Sequence, residues 1–428
     1  MFEEHRADFS SPQVLYVGNF CFPNGDAGGL RVQRIGKALR EAGYQVAFAG
    51  SETGREEDRQ PDGGFRYQGF AYVPEKNQRT ARWKFIDYHP QVILQNLMGT
   101  TTMRRLRAMD LSATGAIIAY HGSSLLLYRL QSFCRKRRIA LLTDCTEWYD
   151  PWHLPGGPLG PICWDSEIRM RWMQPRIGRV IAISSFLEQD CRRRGCAVLR
   201  VPPLVDMEEL AHHAAQPPRP EDGVLRLVYS GSPAKKDLLG NAIRGLHQVR
   251  AGGAAVELHV VGAKSHVVAA CLAKDARLLD ELGNAVVCHG RVAQPEAMNL
   301  VAQADFSILL RPNKRYAHAG FPTKLAESLS LGVPILTNLT SNIGEYVRDG
   351  REGIVLNDCS PEAFAAAVHR VLEMPHSQWL AMRHNARQRA EECFDYRRYV
   401  APLKKFLEEA QVSRERCQHM QNKAENPQ

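Results

Sequence analysis

No Cys-x-x-Cys pair occurs among the eleven cysteines of this 428-residue chain, and none of them has zinc-ligand spacing. Cys191 and Cys196 come closest, separated by a basic run, so reduced and mostly buried thiols are expected. No uninterrupted apolar run approaches the roughly 20 residues of a membrane span. The start, Met1-Phe2-Glu3-Glu4-His5-Arg6, lacks the apolar core of an export signal, which points to the cytoplasm. G-x-G-x-x-G, the Walker loop, the G-x-S-x-G elbow and H-E-x-x-H are all missing. Their absence argues against a dinucleotide fingerprint, a P-loop nucleotidase, a serine hydrolase of the elbow type and a zinc peptidase. There is no internal repeat, no low-complexity tract and no aromatic-rich RNA-binding motif, so nucleic acid is not an expected partner.

What remains is an ordinary globular composition, 44% hydrophobic and 24% charged, in a chain too long for one core. Two domains are expected. A net charge of +9 favours polyanionic neighbours such as phosphates or an anionic membrane face. The charge is clustered at Arg104, Arg105 and Arg107, at Arg135-Lys136-Arg137-Arg138 and at Arg192-Arg193-Arg194. All three groups fall near ends of predicted helices, where a solvated face complementing the helix dipole also accounts for them.

Hydrophobic patterning lays out alternating strands and helices. Val14–Gly18 reads as a buried first strand, followed by a glycine-bearing loop, a helix from about Leu30 to Ala42, and a strand at Val46–Ala49. Further strands are predicted at Val92–Leu94, Ala116–Tyr120, Ile139–Thr143 and Val180–Ile183. A proline-rich, aperiodic stretch follows, and the alternation restarts at Leu225–Tyr229, Val256–Val261, Ala285–Cys288, Phe306–Leu310, Val333–Leu336 and Gly353–Leu356. Amphipathic helices are predicted at Asp237–Val249 and Pro361–Leu372. The expected division is a first α/β domain over 12–205, a linker over 206–223, a second over 224–375, helices over 376–412 and a frayed tail over 413–428.

One segment carries the most chemistry: Ala319-Gly320-Phe321-Pro322-Thr323-Lys324-Leu325-Ala326-Glu327, continuing to a buried strand at Val333–Leu336. Pro322 suits the first helical position, which leaves Thr323, Lys324 and their free amides at a positive helix end. That end is an anion site to which Lys324 adds a point charge. Glu327, about one turn on, is placed to accept hydrogen bonds from vicinal hydroxyls. Diphosphate beside ribose is the chemistry of a nucleotide-sugar; the alternative is a capped helix with both side chains solvated.

This segment is similar to the signature of family-4 retaining glycosyltransferases of the GT-B fold. The resemblance implies two Rossmann-like, doubly wound α/β domains facing across a cleft, with a C-terminal helix crossing back to the first. It implies a donor site made of Gly320, Phe321, Thr323, Lys324 and Glu327. Gly231, Ser232 and Lys236 (or Lys235) match a phosphate loop after the first strand of the second domain, with Arg311 supplying charge and Lys314 and Arg315 as further candidates. Gly28 and Gly29 match a first-domain loop near the diphosphate, with Arg31 and Arg34 behind them. His121, past the strand Ala116–Tyr120, matches a histidine near the reacting sugar carbon. Catalytic roles accordingly fall to His121, Lys236 and Glu327. Asp144, in a carboxylate- and aromatic-rich stretch with Glu147, Trp148 and Asp150, is the candidate acceptor ligand.

The sequence departs from the family at two places. The first of two family glutamates falls at Ala319, and a family arginine falls at Ser232. The implied activity is transfer of a sugar from a nucleotide-sugar to a cell-envelope glycan or lipid-linked acceptor, with retention of configuration. No metal or cofactor is required, and the inner membrane face is a further anionic partner. Two alternatives stay open: a nucleotide-sugar epimerase or phosphorylase of the same fold, and a catalytically degenerate nucleotide- or partner-binding subunit.

Overall fold

The computed structural model describes residues 13–23, 25–51, 54–74, 90–211, 213, 223–233 and 237–425, except the side chains of 90–93 and 414–425. The chain divides into two compact units, one of Met1–Pro202 with Tyr396–Gln428 and the other of Pro203–Asp395.

The first unit holds an eight-stranded sheet in the order β3-β4-β2-β1-β5-β6-β7-β8. Its strands are β1 Val14–Gly18, β2 Val46–Ala49, β3 Phe65–Tyr67, β4 Phe70–Tyr72, β5 Ala116–Tyr120, β6 Ala140–Cys145, β7 Arg179–Ala182 and β8 Ala197–Arg200. All neighbours are parallel except the β3–β4 hairpin. β1 and β5 are buried at every position, as expected for a parallel sheet covered by helices on both faces. On one face Leu15, Val17, Ile117, Leu127 and Leu130 form a core.

The second unit is a six-stranded parallel sheet in the order β11-β10-β9-β12-β13-β14. Its strands are β9 Leu225–Ser230, β10 Val256–Val261, β11 Val286–Gly290, β12 Phe306–Leu309, β13 Ile335–Asn338 and β14 Gly353–Leu356. Counted from β9, this is the doubly wound order 3-2-1-4-5-6. The order reverses between β9 and β12, and ligands of open α/β sheets bind beyond the carboxyl ends of such strands. In the first unit β1 and β5 hold the corresponding place.

Several expectations change. Val92–Leu94 is not a strand; it lies in the helix Pro90–Met98, where Pro90 takes the first helical position. The division between units falls after Pro202 and Met207–Ala211 is helical within the second unit, while 212 and 214–222 of the linker expected over 206–223 lie outside the described residues. The helices past 375 split as well. His376–Cys393 stays with the second unit, while Val400–Glu425 belongs to the first and continues beyond the expected end at 412. The first long helix starts at Ala27 rather than Leu30.

Candidate functional site

Loops after β9 and β12 and the helix Thr323–Ser330 converge in the second unit. Pro322 is the N-cap of that helix rather than its first residue, and no side chain caps it, so its leading amides are not taken up by a capping group. Leu331 closes the helix and Gly332, at φ +67, turns the chain into β13. The Lys324 side chain, 13% exposed, donates from Nζ to Asp237 Oδ2 at 2.6 Å and lies 3.9 Å from the centre of the Tyr229 ring. Tyr229 donates its hydroxyl to the same oxygen at 2.7 Å, and Arg311 Nε stands 3.8 Å from Asp237 Oδ1.

Two largely covered cations therefore share one carboxylate at the sheet's reversal point. Burial alone would raise the Asp237 carboxyl, but the Lys324 ammonium, the hydrogen bonds from Lys324 and Tyr229, and Arg311 outweigh it and hold the group below its ordinary value. Burial draws the Lys324 ammonium down, against the pull of Asp237. Burial beside Asp237 pushes the Tyr229 hydroxyl up. Arg311 is fixed by its own backbone: its amide donates to Asn338 Oδ1 at 2.9 Å, Asn338 Nδ2 donates to its carbonyl at 2.8 Å, and its guanidinium reaches the Ala317 carbonyl.

Gly231 sits at φ +125, and a Cβ there would come within 3.3 Å of Lys324 Nζ. Glycine thus satisfies both the backbone and the close approach of the lysine. Ser232 is exposed beside it, and Lys236 and Lys235 lie outside the described residues. Glu327 is half-buried on the same helix as Lys324, close enough to help retain the lysine's charge. Thr323 opens the helix. Gly320 donates its amide to Tyr316. Phe321 turns inward, its ring 5.3 Å from Tyr346 and 6.2 Å from Phe394, so its side chain packs the fold and only its backbone faces the loop. Ala319 is fully buried at the end of the short helix Arg315–Ala319.

In the first unit, Asp26 caps the helix Ala27–Glu41, accepting from the Gly29 amide at 2.7 Å and the Cys21 amide at 3.2 Å. Gly28 and Gly29 are therefore in the first helical turn, not in the loop before it. A Cβ on Gly29 would fall 2.1 Å from the Cys21 carbonyl oxygen, and one on Gly28 would fall 3.0 Å from the Tyr120 hydroxyl. His121, just past β5, adopts φ +47, which is strained for a non-glycine residue. Arg169 Nη1 donates to its Nδ1 at 3.0 Å, and its Nε2 meets the Thr146 hydroxyl. Because a guanidinium can only donate, the proton of a neutral ring sits on Nε2.

Asp144, the candidate acceptor ligand, is taken up inside the first unit. It is 1% exposed, and Arg31 binds it through Nε and Nη2 at 2.8–3.0 Å while Tyr16 donates its hydroxyl at 3.1 Å. Arg31 also reaches the carbonyls of Val201 and Pro202, so the pair is a buried brace of the unit, and Arg31 adds no free charge to a ligand. Sequence reasoning missed Asp237, Tyr229, Asn338 and Arg169. Only Asp237 had a visible signal, being an acid directly after Lys235-Lys236 in the switch-point loop. Among the described residues no group of three or more His, Cys, Asp or Glu side chains is placed to hold a metal ion.

Comparison with known proteins adds two family models. One described as "Glycosyl transferases group 1" matches residues 225–374, and one described as "Glycosyl transferase 4-like domain" matches residues 27–204. Among solved structures, the chain is similar to sucrose-phosphate synthase from Thermosynechococcus elongatus at 16% identity, covering 93% of this chain and 99% of the other with a TM-score of 0.68. It is similar to Anabaena HepE, solved with UDP and glucose, at 14% identity over 92% and 99% of the two chains, with a TM-score of 0.65. An α,α-trehalose-phosphate synthase (UDP-forming) from Burkholderia vietnamiensis gives 10% identity over 94% and 100%, with a TM-score of 0.71. At such identities these likenesses speak for the fold alone. No curated protein matches the chain by sequence.

Proposed function

We propose, for a chain that belongs to the GT-B glycosyltransferases and is thus a nucleotide-sugar-dependent transferase, that it moves a hexose with retention to a glycan or lipid-linked acceptor. The observation that carries this reading is the Lys324–Asp237–Arg311 cluster at the reversal point of the second sheet. In this reading a nucleoside diphosphate takes over the role of the Asp237 carboxylate. Its oxygens receive Lys324, Arg311 and the uncapped amides at Thr323 and Lys324, and Glu327 receives the ribose hydroxyls. The solved HepE structures with UDP and UDP-glucose support a uridine diphosphate donor as the first to test.

Charge builds on the leaving diphosphate in the transition state, so cations already held in a buried site stabilise it without reorganising. Retention without a protein nucleophile follows if the leaving phosphate takes the acceptor proton on the same face. His121, its ring fixed by Arg169 and Thr146, orients the sugar. With Ala319 buried and lacking a carboxylate, the sugar's outer hydroxyls are held by backbone of the Gly320–Phe321 turn. The proposed acceptor is membrane-borne, on the inner membrane face. The test is a thermal-shift screen against UDP-, GDP-, ADP- and dTDP-sugars, followed by transfer assays with the sugar that binds. Stabilisation by one nucleotide class, with product formed only when acceptor is present, supports a transferase. Binding with turnover but no acceptor requirement would instead make it an epimerase.

A further inference from the structure

The three basic clusters of the first unit are not equivalent once folded. Arg192, Arg193 and Arg194 each pair with Glu188 or Asp190 on their own helix. Arg105 turns inward to the carbonyls of Gly50 and Val73. Arg104, Arg107, Lys136 and Arg137 instead line one cleft of about 860 Å³ beside the helices Thr100–Ala108 and Ser124–Arg137. No carboxylate among the described residues pairs with any of these four. Met103, Tyr128 and Phe133 supply an apolar wall. Four uncompensated cations around an apolar wall suit an anion that carries hydrocarbon.

Beside this cleft is an exposed aromatic face. Trp164, Ile168 and Trp172 recur at every fourth residue of the helical run from Pro161 to Ile177, through its π-helical segment Arg169–Met173, and so form one stripe. Trp164 is 61% and Trp172 72% exposed. Trp152 and Leu159, 75% and 85% exposed, lie in the preceding 3₁₀ turns, to which Trp164 Nε1 is tied by a 3.1 Å bond to the Pro158 carbonyl. The helix Ser124–Arg137 joins the two features. Ser124 bonds to Asp165 through its amide at 2.8 Å and its hydroxyl at 2.5 Å, and half-exposed Tyr128 lines the cleft.

Among the described residues three tryptophans, Trp152, Trp164 and Trp172, are thus held in water on one unit, next to its uncompensated charge. Contiguous exposed apolar surface of this kind marks an interaction site. Tryptophan rings favour the headgroup depth of a bilayer, and anionic lipids present phosphates as a continuous sheet that four cations can meet at once. We infer that this face docks the first unit on an anionic phospholipid bilayer, with headgroup phosphates in the Arg104–Arg107–Lys136–Arg137 cleft and Trp164 and Trp172 seated at the interface. The inference rests on the membrane-borne acceptor proposed above and names the surface that reaches it.

The full chain is tested by co-sedimentation with vesicles of phosphatidylcholine containing increasing phosphatidylglycerol, and by tryptophan quenching with brominated lipid. Binding rises with the anionic fraction. Arg104→Gln with Lys136→Gln lowers it about 25-fold, roughly fivefold per cation. Trp164→Ser with Trp172→Ser lowers it at least about tenfold and removes most of the quenching. Both double variants retain wild-type stabilisation by nucleoside diphosphate, whose proposed site is in the other unit. Vesicle binding of this pattern without nucleotide binding supports the surface and removes the donor reading alone. Binding independent of phosphatidylglycerol, or unchanged from wild type in both variants, overturns the inference. So does a wild-type dimer that the tryptophan substitutions dissolve, which would give this face to a second copy of the chain.

Discussion

Replacing Asp237 by Asn separates the two things this carboxylate does. It neutralises Lys324, at 2.6 Å, and part of the charge of Arg311, at 3.8 Å, in a site where the three side chains are 6–13% exposed. Asn keeps the volume and can accept one bond, but removes the carboxylate that Lys324 and Arg311 share, leaving Glu327 as the acid acting on Lys324. Breaking a buried pair by removing one partner costs about 3–5 kcal/mol. For a unit of this size each kcal/mol is worth about 2–4 °C, so the melting point of Asp237→Asn falls by about 10 °C. If a diphosphate occupies the same place, it restores the missing charge and no longer competes with a carboxylate. A nucleoside diphosphate at about 100 times its Kd stabilises by about 2.7 kcal/mol, and the gain in the variant exceeds that in the wild type. Differential scanning fluorimetry with UDP, GDP, ADP and dTDP reads both effects. A variant melting within about 2 °C of wild type, or gaining less from nucleotide, would refute the reasoning.

Glu327→Ala and Lys324→Ala each weaken nucleotide-sugar binding by about 1–3 kcal/mol in calorimetry, the loss expected for charge-assisted bonds; unchanged affinity in Glu327→Ala removes its ribose role. Asp144→Asn leaves Arg31 buried without its partner and costs about 3–5 kcal/mol of stability; a change in acceptor KM without a change in melting point would contradict its role as a brace. Asp237, Asp349 and Glu352 are all held below their ordinary values, against burial, by Lys324, Arg370 and Arg348 respectively. Depressed carboxyls contribute stability that is fully present above their unfolded values, near pH 4, and is lost as pH falls through the folded ones. The melting point should therefore hold steady from about pH 7 to 5 and fall below about pH 4; a plateau extending to pH 3 would be the contrary result.

Local signals carried much of the fold. Val46–Ala49, Gly353–Leu356 and the helix Pro361–Leu372 lie where periodicity and flanking turns put them. Val92–Leu94 misled because three apolar residues fit either period, and Pro90 at a first helical position was the better guide. The β3–β4 hairpin was readable in principle. Phe65-Arg66-Tyr67 and Phe70-Ala71-Tyr72 flank Gln68-Gly69, both at positive φ as a two-residue turn requires. In the site, Lys324 and Glu327 were legible because one helix sets their spacing. The pairing of Lys324 with Asp237 spans 87 residues and depends on the strand order, which no local pattern encodes. The pairing of Asp144 with Arg31, 113 residues earlier, is likewise set by the strand order rather than by any local pattern.

The excursion of the backbone out of the first unit after Pro202, with its return at Tyr396, has a consequence for biosynthesis. One lobe is a single uninterrupted stretch, whereas the other is stitched from both extremities. On return, Tyr396 donates its hydroxyl to Glu41, Leu403 and Leu407 are buried, and Glu409 offers its carbonyl to Arg179. A nascent chain leaving the ribosome can therefore complete the intervening lobe while the earlier one still waits for its last segment. Stalling or clipping near residue 395 would leave a finished second unit attached to an unfinished first one.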